Sequence, residues 1–457
     1  MRKSLLDQLP LVPVPIDHNH ARELGAASML LDQLPEAVKL VHEDLSRRGA
    51  KRVDPTKGRH GMAAEQVLRA GVLKQINNFS YEELAFHLAD SSSYQTFCRL
   101  GYHRKPPTRA TLQRNIKHVK SETWESINQM VVRKAQELGI ESGDKTRTDC
   151  TVVESNIHHP TDSSLLWDSM RVLTRLMGVA KEEFGLGFHD HSRRAKRRAF
   201  GISNAKTTPQ RKRLYQDLIK VTKKTIAQAE SIAEQLDGIQ PASWTQVALL
   251  SMLATDLPHY VDLAHRVISQ TERRVFGGET VPAAEKLVSI FETHTDIIIK
   301  DNRETQFGHK LCLTSCASGL VTDAVVEQGN PADSTLAVKM MERHKQLFGK
   351  APRQACFDGG FASRSNLAEI KELGVKDVAF SKRCRLEIED MVSSRQVYRQ
   401  LRAFRAGVEG TISFLKRVAG LGRCLWRGFA SFKAYVQASV LACNLLVAAR
   451  HVLAARG

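Results

Sequence analysis

Three acidic residues have neighbours that suit a role in phosphate chemistry. Asp149 lies at or near the end of a stretch rich in β-branched residues, Asp358 ends a short apolar stretch before two glycines, and Glu409 lies on a late amphipathic helix. Acids at strand ends of an α/β sheet point into the crevice where ligands bind. Converging carboxylates repel one another unless a cation neutralises them, and Mg²⁺ is typical where phosphates are the substrate. Two such ions about 3.5–4 Å apart would activate a water or a 3′-hydroxyl against a phosphodiester.

Each acid also has an interpretation without chemistry, and the sequence leaves both interpretations open. Asp149 can end a strand or pair with Arg147. Asp358 can start the turn that the following glycine completes. Glu409 can be the i, i+4 partner of Arg405 on its helix.

The helix around Glu409 favours a functional role for this acid. On a wheel of about 100° per residue, Glu409 lies within roughly 60° of three cations. These cations are Arg402, Arg405 and Lys416. The adjacent arc is an apolar stripe of Leu401, Phe404, Val408, Ile412 and Leu415, which should face the core. Gly407 and Gly410 each lower the stability of this helix by about 1 kcal/mol relative to Ala, and close packing against another element could compensate for that loss.

The charge of the chain indicates a polyanionic partner. Lys and Arg number 67 against 49 Asp and Glu, a net charge of +18, and nucleic acid is the leading candidate partner. Ser192–Lys224 holds twelve Lys or Arg and one acid, Asp217. A solvated helix face is the alternative, but a phosphate backbone would relieve this repulsion. The DNA-binding candidates here are Arg193, Arg194, Arg197, Arg198, Arg211 and Arg213.

Composition argues against several other classes of protein. With 42% hydrophobic and 25% charged residues, the chain of 457 residues has enough apolar material for a core. The longest apolar run, Tyr435–Ala449, is interrupted by polar residues and predicts a buried core helix, so we expect no membrane partner. The eight scattered cysteines lack a CxxC pair, which indicates reduced thiols in a cytoplasmic protein. Motifs of zinc hydrolases, serine hydrolases and P-loop proteins are missing from the sequence.

Periodicity divides the chain into a helical part followed by a mixed part. From Gly61 to about Gly139 the pattern is helical, with a basic, Pro-bounded turn before a helix that Thr108 is predicted to cap. Arg109 and Arg114 are the DNA-binding candidates of this part. This suits a DNA-binding module, although a plain helical bundle has the same pattern. Strands are predicted at Thr146 to Val153, at "DIIIKDN", in the hairpin "HKLCLTSCASGLVTDAVVEQGN", at "RQACFDGGF" and at "KDVAFS". Helices between these strands predict an α/β fold.

These motifs together resemble the DDE transposases of bacterial insertion sequences, in the large group of insertion sequences four and five. The third acid of that family lies in a signature of Tyr, two residues, Arg, three residues, Glu, six residues and Lys. Arg405, Glu409 and Lys416 fit its last three positions, and Arg402 departs from the Tyr but is still expected to contact a DNA phosphate. "FDGGFAS" is similar to the family motif "D.GY.S", with Phe361 in the Tyr place.

Further stretches extend the resemblance over most of the chain. "RTDCTVVESNIHHPTDSSLL" is similar to the strand of the first aspartate and the "HPTD..LL" helix that follows it. "FGHKLCLT" resembles the "GYK" strand, and the segment from about Gly61 to Val132 resembles the N-terminal DNA-binding domain of the group.

The resemblance implies an α/β fold with an RNase H-like mixed sheet and flanking helices, interrupted by a long helical insertion, plus an N-terminal all-helical domain. We expect residues 1–140 to form the helical DNA-binding domain and 141–457 the RNase H-like catalytic domain. Within the latter, 155–295 is expected to be a mostly helical insertion that is basic at 192–224.

The resemblance also implies an activity and its participants. Asp149, Asp358 and Glu409 would be catalytic ligands of Mg²⁺, with two ions expected and Mn²⁺ able to substitute, while Arg405 and Lys416 would contact phosphate. The partners would be double-stranded DNA, as terminal inverted repeats and as target, and a second copy of the chain. The protein would act in a bacterial cytoplasm, associated with the nucleoid. A nuclease that does not join DNA and a non-catalytic DNA-binding derivative are the alternatives.

Overall fold

The computed structural model describes residues 17–48, 51–52, 61–101, 105–299, 304–382 and 384–455. The chain divides into two compact units. The first unit draws on both ends of the chain, Met1–Asn156 and Gly308–Gly457, and the second is Ile157–Phe307.

Helices dominate both units of the protein. The helices are α1 (Asn19–Asp32), α2 (Pro35–Leu45), α3 (Ala64–Ile76), α4 (Tyr81–Asp90), α5 (Ser92–Phe97), α6 (Arg109–Ile116), α7 (Ser121–Glu137), α8 (Asp162–Phe184), α9 (Ser192–Asn204), α10 (Thr208–Leu236), α11 (Trp244–Val275), α12 (Ala337–Phe348), α13 (Arg364–Glu372), α14 (Ile388–Met391), α15 (Arg395–Arg417) and α16 (Phe429–Ala454). The strands are β1 (Arg47–Arg48), β2 (Lys51–Arg52), β3 (Lys145–Ser155), β4 (Asp296–Ile298), β5 (Gln306–Cys316), β6 (Val321–Glu327), β7 (Gln354–Phe357), β8 (Asp377–Phe380) and β9 (Arg423–Cys424).

Local capping signals decide where the N-terminal helices begin. The Ser80 hydroxyl accepts from the Glu83 backbone N–H at 3.1 Å, and the Glu83 carboxylate accepts from the Ser80 N–H at 2.7 Å, a capping box that starts α4. The Thr108 hydroxyl caps α6 by accepting a hydrogen bond from the backbone N–H of Thr111. α7 ends just before Gly139, which has a positive φ of 72°. The predicted helical pattern of this part is therefore confirmed.

Five strands of the first unit lie in a mixed sheet in the order β6-β5-β3-β7-β8, and the short β9 pairs with the end of β3, while β1 and β2 pair with each other. β5 pairs with β6 and with β3 antiparallel, whereas β7 pairs with β3 and with β8 parallel. The predicted hairpin is formed by β5 and β6, and it turns at Gly319, where φ is 90°. Apolar clusters that include residues of α12, α13, α15 and α16 pack against this sheet. The expected α/β fold with an RNase H-like mixed sheet is confirmed.

Helix α16 is the centre of the first unit's larger core. It packs against α7, α1 and α3, so the N-terminal helices belong to the same compact unit as the sheet. By length and composition α16 could cross a membrane, but 72% of its most apolar window is buried inside the protein. The prediction of a buried core helix at Tyr435–Ala449 is thus confirmed, whereas DNA binding by residues 1–140 stays a prediction.

The second unit is a bundle of α8, α9, α10 and α11 around its own apolar core, with the short strand β4 near its end. Leu166, Leu173, Leu218 and Leu257 are fully buried in that core. Helix α8 is capped by the Thr161 hydroxyl rather than by the neighbouring Asp162. Asp162 is instead buried, where Arg274 donates to it at 2.8 Å. The end of "DIIIKDN", from residue 300, lies outside the described residues.

Candidate active site

Asp149 and Asp358 lie at the same level of two neighbouring strands. β3 and β7 are parallel, and their register places Thr148 opposite Phe357, so the next residue on each strand is one of the two aspartates. Asp358 directly follows β7, as predicted. Asp149 lies inside β3, because that strand continues to Ser155 along β5. The prediction that Asp149 ends its strand is therefore wrong, yet its neighbour β7 does end at this level.

A single side chain of α15 joins the two aspartates. The Nη2 atom of Arg405 lies 3.2 Å from Asp149 Oδ2 and also 3.2 Å from Asp358 Oδ1. The two carboxylate oxygens are therefore no further apart than twice that distance. The alternatives raised from sequence, Asp149 paired with Arg147 and Glu409 paired with Arg405, are not the pairs that form among the described residues.

The surroundings move the pKa values of the two carboxyl groups in opposite directions. Burial raises the pKa of Asp149, and the nearby charge of Asp358 adds to the rise, against the opposing N–H of Cys150 and Arg405. Burial acts on Asp358 as well, but hydrogen bonds from Ser381 and Gly359 and the charge of Arg405 outweigh it and lower the pKa of this carboxyl. Paired carboxyl groups with divergent pKa values are a feature of catalytic sites.

Ser381 and Lys382 belong to the site although the sequence analysis missed them. The Ser381 hydroxyl donates to Asp358 Oδ1 at 2.8 Å, and the backbone N–H of Ser381 continues the β7–β8 pairing by donating to Phe357 O. Lys382 is exposed and lowers the pKa of Asp358 by its charge. Ser381 is the last residue of the predicted strand "KDVAFS" and Lys382 follows it, but the sequence pattern assigns no role to either residue.

Arg147 explains why α15 carries a glycine at 407. Its guanidinium donates to Phe404 O at 3.2 Å and to Thr411 Oγ1 at 3.3 Å, so it binds the helix from the sheet. A Cβ atom at Gly407 would lie 2.0 Å from Arg147 Nη1, so the guanidinium would have to shift away from its hydrogen bonds to Phe404 and Thr411. Gly410 has open space around its Cβ position. Close packing therefore accounts for Gly407 and does not account for Gly410.

Glu409 is placed on the right helix but not in contact with the aspartates. It lies one helical turn after Arg405, and its side chain is exposed. In the part of the chain that the structure describes, no three His, Cys, Asp or Glu side chains form a group able to hold a metal ion. The structure thus brings Asp149 and Asp358 together and does not group Glu409 with them, although Glu409 lies on the same face of α15 as Arg405.

The remaining cations of α15 have different surroundings. Leu401, Val408 and Leu415 are buried, as the apolar stripe predicts. Arg402 is exposed and lies over the ring of Tyr398, 5.9 Å from its centroid. Lys416, two turns after Glu409, is half-buried.

The basic candidates of the second unit lie on α9 and α10. Asp217, the single acid of this segment, accepts from Arg194 and Arg198 and so ties α10 to α9. The other candidate arginines of this segment are exposed, namely Arg193, Arg197, Arg211 and Arg213. In the first unit Arg109 and Arg114 are exposed on α6, and Arg109 pairs with Glu82 at 3.5 Å. Contact with DNA by any of these residues stays a prediction.

The chemistry of the donor set fits a divalent cation. Two carboxylate oxygens already share one cationic nitrogen, so the site accepts positive charge between Asp149 and Asp358. Mg²⁺ usually takes one or two carboxylates and completes its shell with water and substrate phosphate, which suits a pair rather than a closed cage. The Nε atom of Arg405 is buried with no hydrogen-bond partner among the described residues. An incompletely satisfied guanidinium beside the carboxylates suits a phosphate ligand.

An RNase H-like sheet with paired aspartates at adjacent strands defines a class of nucleic-acid enzymes, and comparison with known families narrows the class. Residues 280–445 match a family model described as "Transposase DDE domain", and residues 21–118 match one described as "Transposase domain (DUF772)". The first match contains Asp358 and Glu409, while Asp149 precedes it. No curated protein and no solved structure matches the chain.

The chain belongs to the DDE transposases, of the kind found in bacterial insertion sequences four and five. A DDE transposase domain implies an enzyme that cuts or transfers nucleic acid. Enzymes of this family generally use divalent metal ions.

Proposed function

We propose that this transposase binds the two ends of its element, hydrolyses a phosphodiester at each end and joins the freed 3′-hydroxyl to target DNA. The observation that carries the proposal is the single nitrogen of Arg405 within 3.2 Å of both Asp149 and Asp358. It supports one acidic pocket built from parts of the chain that are more than 200 residues apart.

The proposed reaction has two phosphoryl-transfer steps. In the first, a water oxygen bonds to phosphorus and the bond from phosphorus to the 3′-oxygen breaks, which leaves a 3′-hydroxyl and a 5′-phosphate. In the second, that 3′-oxygen bonds to a target phosphorus and the target's own 3′-oxygen leaves. In each step the attacking oxygen loses a proton and the leaving oxygen gains one. Positioning and electrostatic stabilisation therefore supply most of the catalysis.

Asp149, Asp358 and Glu409 are the proposed ligands for two Mg²⁺ ions, for which Mn²⁺ would substitute. When bound, the ions activate the nucleophile and stabilise the leaving oxygen. The chain's own residues orient the parts: Ser381 fixes the Asp358 carboxylate at 2.8 Å, and Arg147 fixes the position of α15. Arg405 would leave the aspartates and use its guanidinium on the phosphate, with Lys416 as a second phosphate contact.

DNA binding is assigned to two basic regions. The N-terminal helices would bind the terminal inverted repeats, and Arg109 and Arg114 are exposed on α6 for this purpose. The exposed cations of α9 and α10 would hold DNA backbone. Since two ends must be brought together before joining, we expect a homodimer on DNA, acting in the bacterial cytoplasm.

The position of Glu409 favours one second candidate, a DNA-binding derivative that does not cut. Among the described residues Glu409 is not grouped with the two aspartates, as an assembled three-acid site would require. Glu409→Ala separates the two functions. This substitution should abolish cleavage and leave DNA affinity within about threefold of wild type. If the wild-type protein also binds DNA without cutting it, the result favours the DNA-binding derivative.

The joining step has its own experiment. Purified protein is incubated with Mg²⁺, a labelled duplex from the end of the flanking element with a free 3′-hydroxyl, and a target plasmid. A transposase yields labelled plasmid. A nuclease of the same fold yields cut duplex and no joined product, and that result would contradict strand transfer while leaving cleavage intact.

A further inference from the structure

The second unit contains a cavity that the basic segment lines only in part. Its volume is about 470 Å³, and the wall comes from the first residue of α8, the first turns of α10, the end of α11 and the segment that follows α11. Four cations line it: Arg211, Lys212, Arg274 and Lys286. The last two come from sequence far from Ser192–Lys224 and were not among the predicted DNA-binding residues.

The acids of this cavity already have partners. Asp162 is buried and accepts from Arg274 Nη1 at 2.8 Å and from Gln270 Nε2 at 3.2 Å. Glu279 accepts from Arg273 Nε at 2.8 Å. One of the four lining cations, Arg274, is therefore neutralised, and the carboxylate of Glu279 is held by a residue outside the lining.

The other three cations form no ion pair among the described residues. Within the described ranges, no carboxylate lies within ion-pair distance of Arg211, Lys212 or Lys286; Arg211 donates only to the backbone oxygen of Ala205, at 3.2 Å. Burial lowers the pKa of Lys286, and the positive charge of Arg274 lowers it further, against the opposing effect of Asp162. Uncompensated positive charge in a concave site attracts an anion.

We propose that this cavity binds one phosphate group of a DNA strand. Its volume falls within the range of roughly 300–1,000 Å³ that is usual for ligand pockets, enough for a phosphate with its sugar. Arg and Lys side chains donate strong, charge-assisted hydrogen bonds to phosphate oxygens. The inference rests on the proposed function in that DNA is taken as the partner; free phosphate shares the chemistry and is separated by the test.

The test uses the full-length protein and a duplex from the end of the flanking element. DNA affinity is measured by fluorescence anisotropy over a range of salt concentrations for wild type, Lys212→Gln/Lys286→Gln and a matched control, Lys181→Gln/Lys376→Gln. Both control lysines are exposed and do not line the cavity. Lys286→Arg keeps the charge, and thermal melting shows whether each variant folds.

The cavity variant should bind DNA several-fold more weakly than the control, and the slope of log affinity against log salt should become shallower by about 0.9, as expected for one lost phosphate contact. Lys286→Arg should retain the wild-type slope. Equal behaviour of the cavity variant and the control would overturn the proposal.

A second arm titrates inorganic phosphate into the wild-type protein and into the cavity variant without DNA. Phosphate binding that the variant loses, with DNA affinity and salt slope equal to those of the control, would make free phosphate the ligand and overturn the DNA assignment. A wild-type protein that binds DNA and does not cut it would contradict the proposed function only, so the two failures are distinguishable.

Discussion

Asp149 and Asp358 face the same nitrogen atom of Arg405, each from 3.2 Å. Parallel pairing of β3 with β7 sets this relationship, because Thr148 lies opposite Phe357 and the aspartates are the next residues of both strands. A guanidinium thus lies between the two carboxylates. A divalent ion that uses both carboxylates has to compete with it.

That competition predicts that Arg405→Gln binds a divalent ion more tightly than wild type. The arginine makes charge-assisted contacts to both aspartates, and such contacts contribute about 1.5–3 kcal/mol. We expect Mn²⁺ affinity in the absence of DNA to rise by about tenfold, which corresponds to roughly 1.4 kcal/mol. Isothermal titration calorimetry with Mn²⁺ measures it directly, without reference to activity.

Arg402→Gln is the control for charge, since Arg402 is exposed on the same helix and has no ion pair with either aspartate among the described residues. It should leave Mn²⁺ affinity within about twofold of wild type. Unchanged or weaker Mn²⁺ binding by Arg405→Gln would show that the arginine does not compete with the ion.

Because the pKa values of Asp149 and Asp358 are shifted in opposite directions, removal of each charge should change the stability of the protein in opposite directions. The raised pKa of Asp149 means that its ionised form destabilises the fold above that pKa, a penalty that disappears as pH falls to the unfolded value of about 3.9. The lowered pKa of Asp358 means that its ionised form stabilises the fold above about 3.9, and this is lost as pH falls through the folded pKa.

At pH 7.5, Asp149→Asn should therefore unfold at a temperature equal to or above that of wild type, and Asp358→Asn at a lower one. The difference of Asp149→Asn should shrink towards pH 4, where wild-type Asp149 takes up its proton, whereas the difference of Asp358→Asn should largely persist at pH 4, because the lowered pKa keeps Asp358 ionised in the folded state. Thermal melts of both variants at the two pH values check this. Destabilisation of the same size by both substitutions would refute the assigned environments.

Gly407 and Gly410 form a matched pair on one helix. Gly407→Ala forces a Cβ atom against Arg147, and we expect it to destabilise the protein by about 1–3 kcal/mol, as overpacking does. Gly410→Ala meets open space and should stabilise α15 by about 0.5–1 kcal/mol. Urea unfolding distinguishes them, and a Gly407→Ala protein as stable as wild type would mean that α15 is not seated on Arg147.

Sequence reasoning reached the elements of this site because their signals are local. The apolar run before Asp358, the glycines after it and the amphipathic stripe on α15 are all readable within about twenty residues. The parallel pairing of β3 with β7 is not, since it joins segments about 200 residues apart. The partner of Arg405 could not be foreseen for the same reason, and the local rule for i, i+4 pairs pointed to Glu409 instead.

Long-range packing also explains the other differences. Asp149 lies inside β3 because β5 pairs along this strand from Thr146 to Glu154, whereas the pairing with β7 ends at Thr148. In the sequence, Asp217 is notable only as the single acid of a basic segment. In the structure it joins α10 to α9 by accepting from two arginines. Ser381 acts on Asp358 across the sheet, a contact without a sequence signature.

Lys74 gives a prediction on the stability of the first unit. Its ammonium lies 5.0 Å from the ring centroid of Tyr81 and 6.0 Å from those of Trp426 and Tyr435, and burial lowers the pKa of this amine to about 8. The gap between this pKa and about 10.4 in the unfolded chain corresponds to roughly 3 kcal/mol. Below pH 8 the folded state bears this penalty in full, and it disappears as pH rises towards 10.4.

Lys74→Met should therefore raise the free energy of unfolding at pH 7. Removal of the buried charge contributes up to roughly 3 kcal/mol, and loss of the cation–π attraction subtracts about 1–2 kcal/mol from that gain. The advantage over wild type should fall steadily between pH 8 and pH 10 in guanidinium titrations. A difference that is constant over this range would mean that Lys74 keeps an ordinary pKa.

The central claim is that Asp149 and Asp358 hold a divalent ion that serves DNA cleavage. Its most direct test is cutting of a duplex from the flanking element's end by the purified protein with Mg²⁺, compared with Asp149→Asn. Loss of groups one step removed from a metal already costs about 10–100-fold, so loss of a ligand should slow cleavage by more than about a hundredfold. We expect Mg²⁺-dependent cleavage by wild type that the variant lacks; cleavage by Asp149→Asn at the wild-type rate, or without a divalent ion, would contradict the account.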